Sequence, residues 1–376
     1  MIELSDNQKK WIDAAKKFSI KQKTALCAHR SDDKISRARL LFSLCCEEKF
    51  QGLLVPEAYG GSSLDYTTAG LIFEELGYGA LSAMPSLLAT VHCMEFINIA
   101  GTVEQKKEIF TEVIANSIPL GFGLTETSAG SDITQITCRA EKTDSEYILN
   151  GTKAIVLNSH IAGIFLIIAR LTSGQGRAGL NAFLVRSFRS GIELSPPYNG
   201  LGFSETVIGE VGLTDVRIPH TSIIGDEGSG YFLLMETFDK CKPFVAACCV
   251  GAAQRVFDII LEYTKSREQL GSTLFSFQGI SFKLADFAAK IRAAKLLYLE
   301  ALMRIDAHSS FTMESSIAKL YASETLREIS EFGLEVLGYR GVLEDNPVRD
   351  IFEDAQLLIS IDGSSNIQRM IIASQL

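Results

Sequence analysis

Along the first 118 residues, apolar positions recur at helix-like spacings, and turn signals such as the Pro56 to Gly61 segment interrupt them. Thr102 and Gln105 form a capping-box pattern, in which a hydroxyl and an amide satisfy free N–H groups at the start of a helix expected to run through Ile114. From about 119 to 225 the pattern shortens to β-rich runs at 146–149, 163–169, 181–185 and 191–194. Turn residues such as Asn150-Gly151 separate them, which predicts a small antiparallel β domain. Beyond the glycine-rich 225–230 segment the helical period returns. Leu284, Phe287, Ile291, Ala294, Tyr298, Leu302 and Ile305 make one apolar seam on a helix of about 30 residues. Helices over 313–337 and after Gly363 supply its neighbours, so the C-terminal part reads as a bundle. The expected class is α+β, mainly α, in three parts: a helical domain over 1–118, a middle β domain over 119–225 and a helical bundle domain over 226–376.

With 376 residues, 47% of them hydrophobic, the chain can bury a large core. Its 36 basic and 45 acidic residues leave a net charge of −9, which offers no field for phosphate backbones or anionic lipid, so no nucleic-acid partner is expected. The longest apolar runs look strand-length, as at 161–169, and no membrane span is expected. The first 18 residues carry acids early and lack signal or transit character, which makes a cytoplasmic location the default. Eight cysteines include two adjacent pairs and no CxxC, and read as reduced, buried apolar residues. Five histidines (His29, His92, His160, His220, His308) are scattered without metal-ligand spacing, so no metal site is expected.

Two segments hold candidate chemistry. Residues 124–132 pack hydroxyls, amides and small residues into one turn after the apolar run 118–122, a composition that can wrap a cofactor or simply connect two elements. Residues 225–230 look like a phosphate loop but lack its lysine and any βαβ context, and read as the hinge between β domain and bundle.

These segments, together with 54–61, 149–153, 213–219, 238–247, 267–271 with Phe277 and Gln278, and 361–369, occur in the order and register of the acyl-CoA dehydrogenase family, which the chain resembles from Leu54 to Arg369. The resemblance implies an N-terminal helical domain, a middle antiparallel β domain and a C-terminal four-helix bundle, with FAD bound non-covalently in a homodimer or homotetramer. It matches Phe122, Leu124, Thr125, Gly130 and Ser131 to the loop lining the flavin ring, and Ile155, Val156 and Leu157 to the strand on its other side. Arg267, Gln269 and Gln278 match residues that reach a neighbouring subunit's FAD, and Ser364 and Asn366 match contacts to the dinucleotide. An arginine suits a pyrophosphate on charge grounds.

The implied chemistry is oxidation of an acyl thioester, carried by coenzyme A or an acyl carrier protein, with electrons passing to an electron-transfer flavoprotein or oxygen. A carboxylate removes the α proton, the β hydrogen leaves as hydride, and hydrogen bonds to the thioester oxygen stabilise the enolate. Asp362 matches the catalytic base, a position where most relatives carry Glu, and its apolar flank is expected to lift its pKa toward neutrality. The plainer reading makes Asp362 the N-cap of the last helix. Aspartate is shorter by about 1.5 Å, and a misplacement near 1 Å can cost about 100-fold. A second branch of the family keeps its base at the position of Cys241, which is no carboxylate, although Glu236 and Asp239 lie nearby.

Other departures are Leu157 where a Thr is common, Ile155 for a Trp, Leu270 and Phe277 for the usual Phe and His, and Glu335 and Tyr339 near the partner's FAD. These fit a specialised carrier-linked substrate, as in polyketide or nonribosomal peptide pathways. Alternatives are a flavin oxidase of nitroalkane-oxidase type and a non-catalytic flavin-binding homologue.

Overall fold

The computed structural model describes residues 4–29, 33–172, 174–343 and 346–376. Residues 1–3, the start of the segment on which the location rests, lie outside the described residues. Five helices come first: α1 (Asp6–Ala28), α2 (Lys34–Glu47), α3 (Tyr66–Ala80), α4 (Met84–Ala100) and α5 (Val103–Asn116). The sheet region follows with β1 (Leu120–Gly123), β2 (Arg139–Lys142), β3 (Glu146–Leu157), β4 (Ile164–Leu171), β5 (Leu180–Arg186), β6 (Ile192–Leu194), β7 (Ile208–Pro219) and β8 (Ile223–Ile224). Then come α6 (Gly230–Ser266), the short hairpin β9 (Glu268–Gln269) and β10 (Ser272–Thr273), and α7 (Gln278–Asp306), α8 (Thr312–Leu337), α9 (Pro347–Leu358) and α10 (Ser365–Gln375).

The capping box at α5 forms as the sequence suggests, with Thr102 and Gln105 satisfying each other's backbone amides. The seven seam positions of α7 are all buried, and they pack where α6 and α8 supply the facing surfaces.

The sheet departs from the sequence reading twice. Its order is β6-β7-β3-β2-β4-β5-β8, with β1 pairing β4. Both β1 and β2 run parallel to β4, so the sheet is mixed and not purely antiparallel. Asn150-Gly151 is no turn: β3 runs straight through it and shifts register against β7 there. Gly151 sits at φ 144°, and a Cβ would stand 2.7 Å from the Cα of Cys138, so the glycine serves a bulge that bends the strand. The apolar stretches are longer than the strand-length runs read from the sequence. The stretches Tyr66–Ala100 and Gly230–Ser266 are long and apolar enough to cross a bilayer, yet 94% and 67% of their most apolar windows are buried inside the fold. They are core helices.

Helix α4 explains much of the architecture. It is buried from 84 to 97 on every face, the pattern of a helix with no solvent side. Leu87, Leu88 and Val91 belong to the core of the helical parts, whereas Cys93, Met94, Phe96 and Ile97 join the core under the sheet. Asn158, at the end of β3, fixes this relation. Its amide donates to the carbonyls of Ser86 and Leu120, both at 2.9 Å, and its oxygen accepts from the Ser86 hydroxyl. One buried side chain thereby ties α4 to β1 and β3.

Candidate active site

Asp362 lies in the turn between α9 and α10 at φ 55°, in the left-handed region. It does not cap α10, because Ser364 occupies that position and accepts from the Ile367 amide. The turn is pinned from two sides. Gln368 donates to the carbonyls of Asp362 and Gly363 at 2.9 and 3.0 Å, and the buried Lys319 ammonium donates to those of Ile359 and Gly363, each at 3.0 Å. Burial pushes the Lys319 ammonium down to about 8.

The Asp362 carboxylate is 10% exposed, and its Oδ2 lies 2.7 Å from Nε2 of His92 on α4. No other hydrogen bond reaches this carboxylate among the described residues, which leaves Oδ1 unclaimed. Burial alone would raise its pKa, as the sequence reading expected. The charge and hydrogen bond of His92, then the charges of Lys319 and Lys242, outweigh that and hold the carboxyl below its usual range. For His92 burial works downward, but Asp362 and the Leu88 carbonyl win, and the imidazole sits above its ordinary value.

The other carboxylates near Cys241 are engaged. Asp239 holds Lys242 at 2.6 Å and the Thr312 hydroxyl at 2.8 Å, and Glu236 pairs with Lys240. Cys241 is fully buried, and burial pushes its thiol well up, so it stays a neutral packing group.

The residues matched to the flavin surface lie on β1, the loop after it, and β3. The Ala154 amide donates to the Thr125 carbonyl at 2.8 Å, which sets the loop beside the strand. Phe122, Leu124, Thr125 and Leu157 are half-buried, Gly130 and Ser131 are exposed, and Ile155 is 48% exposed. Val156 corrects the reading. Strand alternation turns its side chain wholly into the core, so it offers only backbone at this surface. An exposed isoleucine flanked by half-buried apolar side chains, with hydroxyls alongside and open space above Gly130, suits a flat ring system that is apolar on its faces and polar at its edges.

Phe238 of α6 connects the two halves. Its ring packs edge-on against Phe122 at 5.9 Å and against His92 at 6.4 Å. The carboxylate and the flavin-lining loop therefore border one region.

The remaining assigned residues lie apart from it. Arg267, which ends α6, Gln269 on the hairpin and Gln278 at the start of α7 are exposed, and none makes a side-chain hydrogen bond or ion pair to the Phe122–Leu157 surface among the described residues. Glu335 and Tyr339 are exposed as well, and Arg267 influences Tyr339 electrostatically. Asn366 is exposed near Arg369. Sequence reasoning missed His92, Lys319 and Gln368. A lone histidine in an apolar helix reads as core, and only the proximity of residues 270 positions apart shows otherwise.

Comparison with known proteins identifies the fold. Residues 5–117 match the N-terminal domain of acyl-CoA dehydrogenases, 121–216 the middle domain and 228–376 the C-terminal domain. A probable acyl-CoA dehydrogenase of Bacillus subtilis strain 168, YngJ, is 32% identical over 378 residues, spanning 100% of this chain and 99% of that protein. Butyryl-CoA dehydrogenase from Megasphaera elsdenii superposes with a TM-score of 0.94 at 29% identity, covering 100% of this chain and 99% of that one. The prolyl acyl carrier protein oxidase AnaB gives 0.92 at 26% identity, covering 99% of both. The chain belongs to the acyl-CoA dehydrogenase family and is a FAD-dependent oxidoreductase.

Proposed function

We propose that the protein oxidises a short acyl group at its α and β carbons while the group is held as a thioester on an acyl carrier protein, with Asp362 as the base. The observation that carries the reading is the Asp362 carboxylate. It is nearly buried, keeps one oxygen free, and is linked through Phe238 to the flavin-lining Phe122. A carboxylate held ionised in that place can take a proton without first losing one of its own.

In this reading the Cα–H bond breaks and its proton goes to Asp362 Oδ1. The electron pair left on Cα forms the Cα=Cβ bond as the β hydrogen departs with its own pair. FAD supplies the two-electron acceptor for that hydride. Phe122, Leu124, Thr125 and Ile155 would hold the ring, and Ser364 and Asn366 would meet the dinucleotide. Arg267, Gln269 and Gln278 would reach the FAD of a second copy, which would make the working unit a homo-oligomer.

Support for a carrier protein comes from the likeness to AnaB and from the segment 199–203, which holds no basic residue to meet the phosphates of coenzyme A. The test is anaerobic bleaching of the FAD-loaded protein by matched butyryl thioesters of an acyl carrier protein and of coenzyme A. Faster bleaching with the carrier protein is expected, and equal or faster bleaching with butyryl-CoA would overturn the choice of carrier. Bleaching by neither, with peroxide formed from a nitroalkane in air, would replace thioester oxidation by nitroalkane oxidation.

A further inference from the structure

His92 bears on how so short a base is made to work. Its Nδ1 lies 2.6 Å from the Leu88 carbonyl, an oxygen that can only accept, so Nδ1 carries a hydrogen. Its Nε2 lies 2.7 Å from Asp362 Oδ2. Two lone pairs would repel at that distance, so one proton lies between them. The Leu88 bond fixes the ring and the ring fixes the carboxylate. With side chains 5% and 10% exposed, neither partner has much water to turn to.

We propose that His92 is the positioning residue of the catalytic carboxylate: as an imidazolium it clamps Oδ2 and presents Oδ1 to the substrate's α hydrogen. This rests on Asp362 being the base. Charged and titratable groups around the pair come from three helices. Lys242 and Cys241 face it from α6, Lys319 from α8, and Glu95 from α4 itself, one turn beyond His92. Lys242 is held by Asp239, Lys319 by two backbone carbonyls, and Glu95 by Tyr66 and Lys240. Burial keeps Cys241 a thiol. His92 is thus the direct partner of the carboxylate, and the others act at longer range.

The clamp has two consequences. Oδ2 is removed from competition, so the side chain cannot rotate its reactive oxygen away, which offsets the missing methylene of a Glu. When Oδ1 takes the α proton, the pair passes from net neutral to net positive beside the forming enolate, and that charge favours the transition state.

Two measurements on the FAD-loaded protein test this. In ¹⁵N-histidine NMR, His92 should show hydrogens on both ring nitrogens at pH values well above the ordinary imidazole value of about 6.5. In Asp362→Asn it should revert to a neutral ring. A neutral His92 in the wild type at pH 7 would overturn the clamp. The second measurement is the pH profile of anaerobic bleaching by butyryl-pantetheine. His92→Gln keeps a neutral donor for Oδ2 but removes the charge that holds the carboxyl low. Its acid limb should move to higher pH, with bleaching at pH 6 falling about tenfold relative to pH 8, while FAD content holds. An unchanged profile would overturn the proposal. If His92→Gln fails to bind FAD, the wild-type NMR result decides alone. Normal bleaching by Asp362→Asn would refute the base assignment itself, an outcome separate from either result at His92.

Discussion

Two buried ion pairs, Glu126 with Lys153 and Asp362 with His92, are built alike and finished differently. Glu126 and Lys153 have side chains 3% and 0% exposed and meet at 2.6 Å. Glu126 also accepts from the Thr137 amide and hydroxyl and from the Cys138 amide, and Lys153 donates to the Leu124 carbonyl. Both carboxylate oxygens are occupied. This pair fastens the loop after β1 to β3 and so shapes the surface proposed to line the flavin. Asp362 carries one direct partner and one unclaimed oxygen. The saturated pair can only hold the fold, whereas the unsaturated one keeps an oxygen that could accept a proton. Asp354 supplies the contrasting case of burial without a cation. Its carboxylate accepts from the Ser82 hydroxyl and the Phe203 amide, yet burial pushes it up to about 7.

The largest effect expected from breaking this contrast is catalytic. Asp362→Asn should lower the rate of flavin reduction about 10²- to 10⁴-fold, the range lost with a general base, while the FAD absorbance remains. Next comes Lys153→Met, which strands a buried carboxylate and should cost about 3–5 kcal/mol in urea unfolding. Combining it with Glu126→Gln should restore part of the loss. On the same scale Asp362→Asn should cost less, because an imidazole can shed its proton where it stands. Equal costs would erase the distinction between the two pairs.

A third effect depends on pH. The folded pKa of Asp354 is raised above its ordinary value, so the stability it contributes is present in acid and is lost as pH rises through about 7. Asp354→Asn should therefore gain on the wild type in melting temperature between pH 4 and 8, and a constant difference would contradict the assignment. The smallest effect is at Thr102→Ala, which should cost about 1 kcal/mol through the lost cap and leave every pH profile unchanged.

The sequence showed what is local. The α7 seam, the α5 cap and the helix–sheet–helix order follow from periodicity and turn chemistry, and all are present. What it hid depends on distant partners. Asn150-Gly151 looks like a hairpin turn until β7 is seen paired along both sides of it. The parallel pairing of β1 and β2 with β4 leaves no mark on alternation. The apolar run before Asp362 is real, and it argues for a raised pKa. The cation that reverses the sign comes from a helix 270 positions earlier in the chain.

The left-handed backbone at Asp362 has an evolutionary consequence. Among non-glycine residues, Asp and Asn tolerate that conformation best, and the His92 ring already stands 2.7 Å from Oδ2. Exchange for the Glu common among relatives would therefore meet two obstacles together, the turn and the ring. Placing Glu at 362 is therefore expected to require a second change at 92, so the two positions act as one unit of variation.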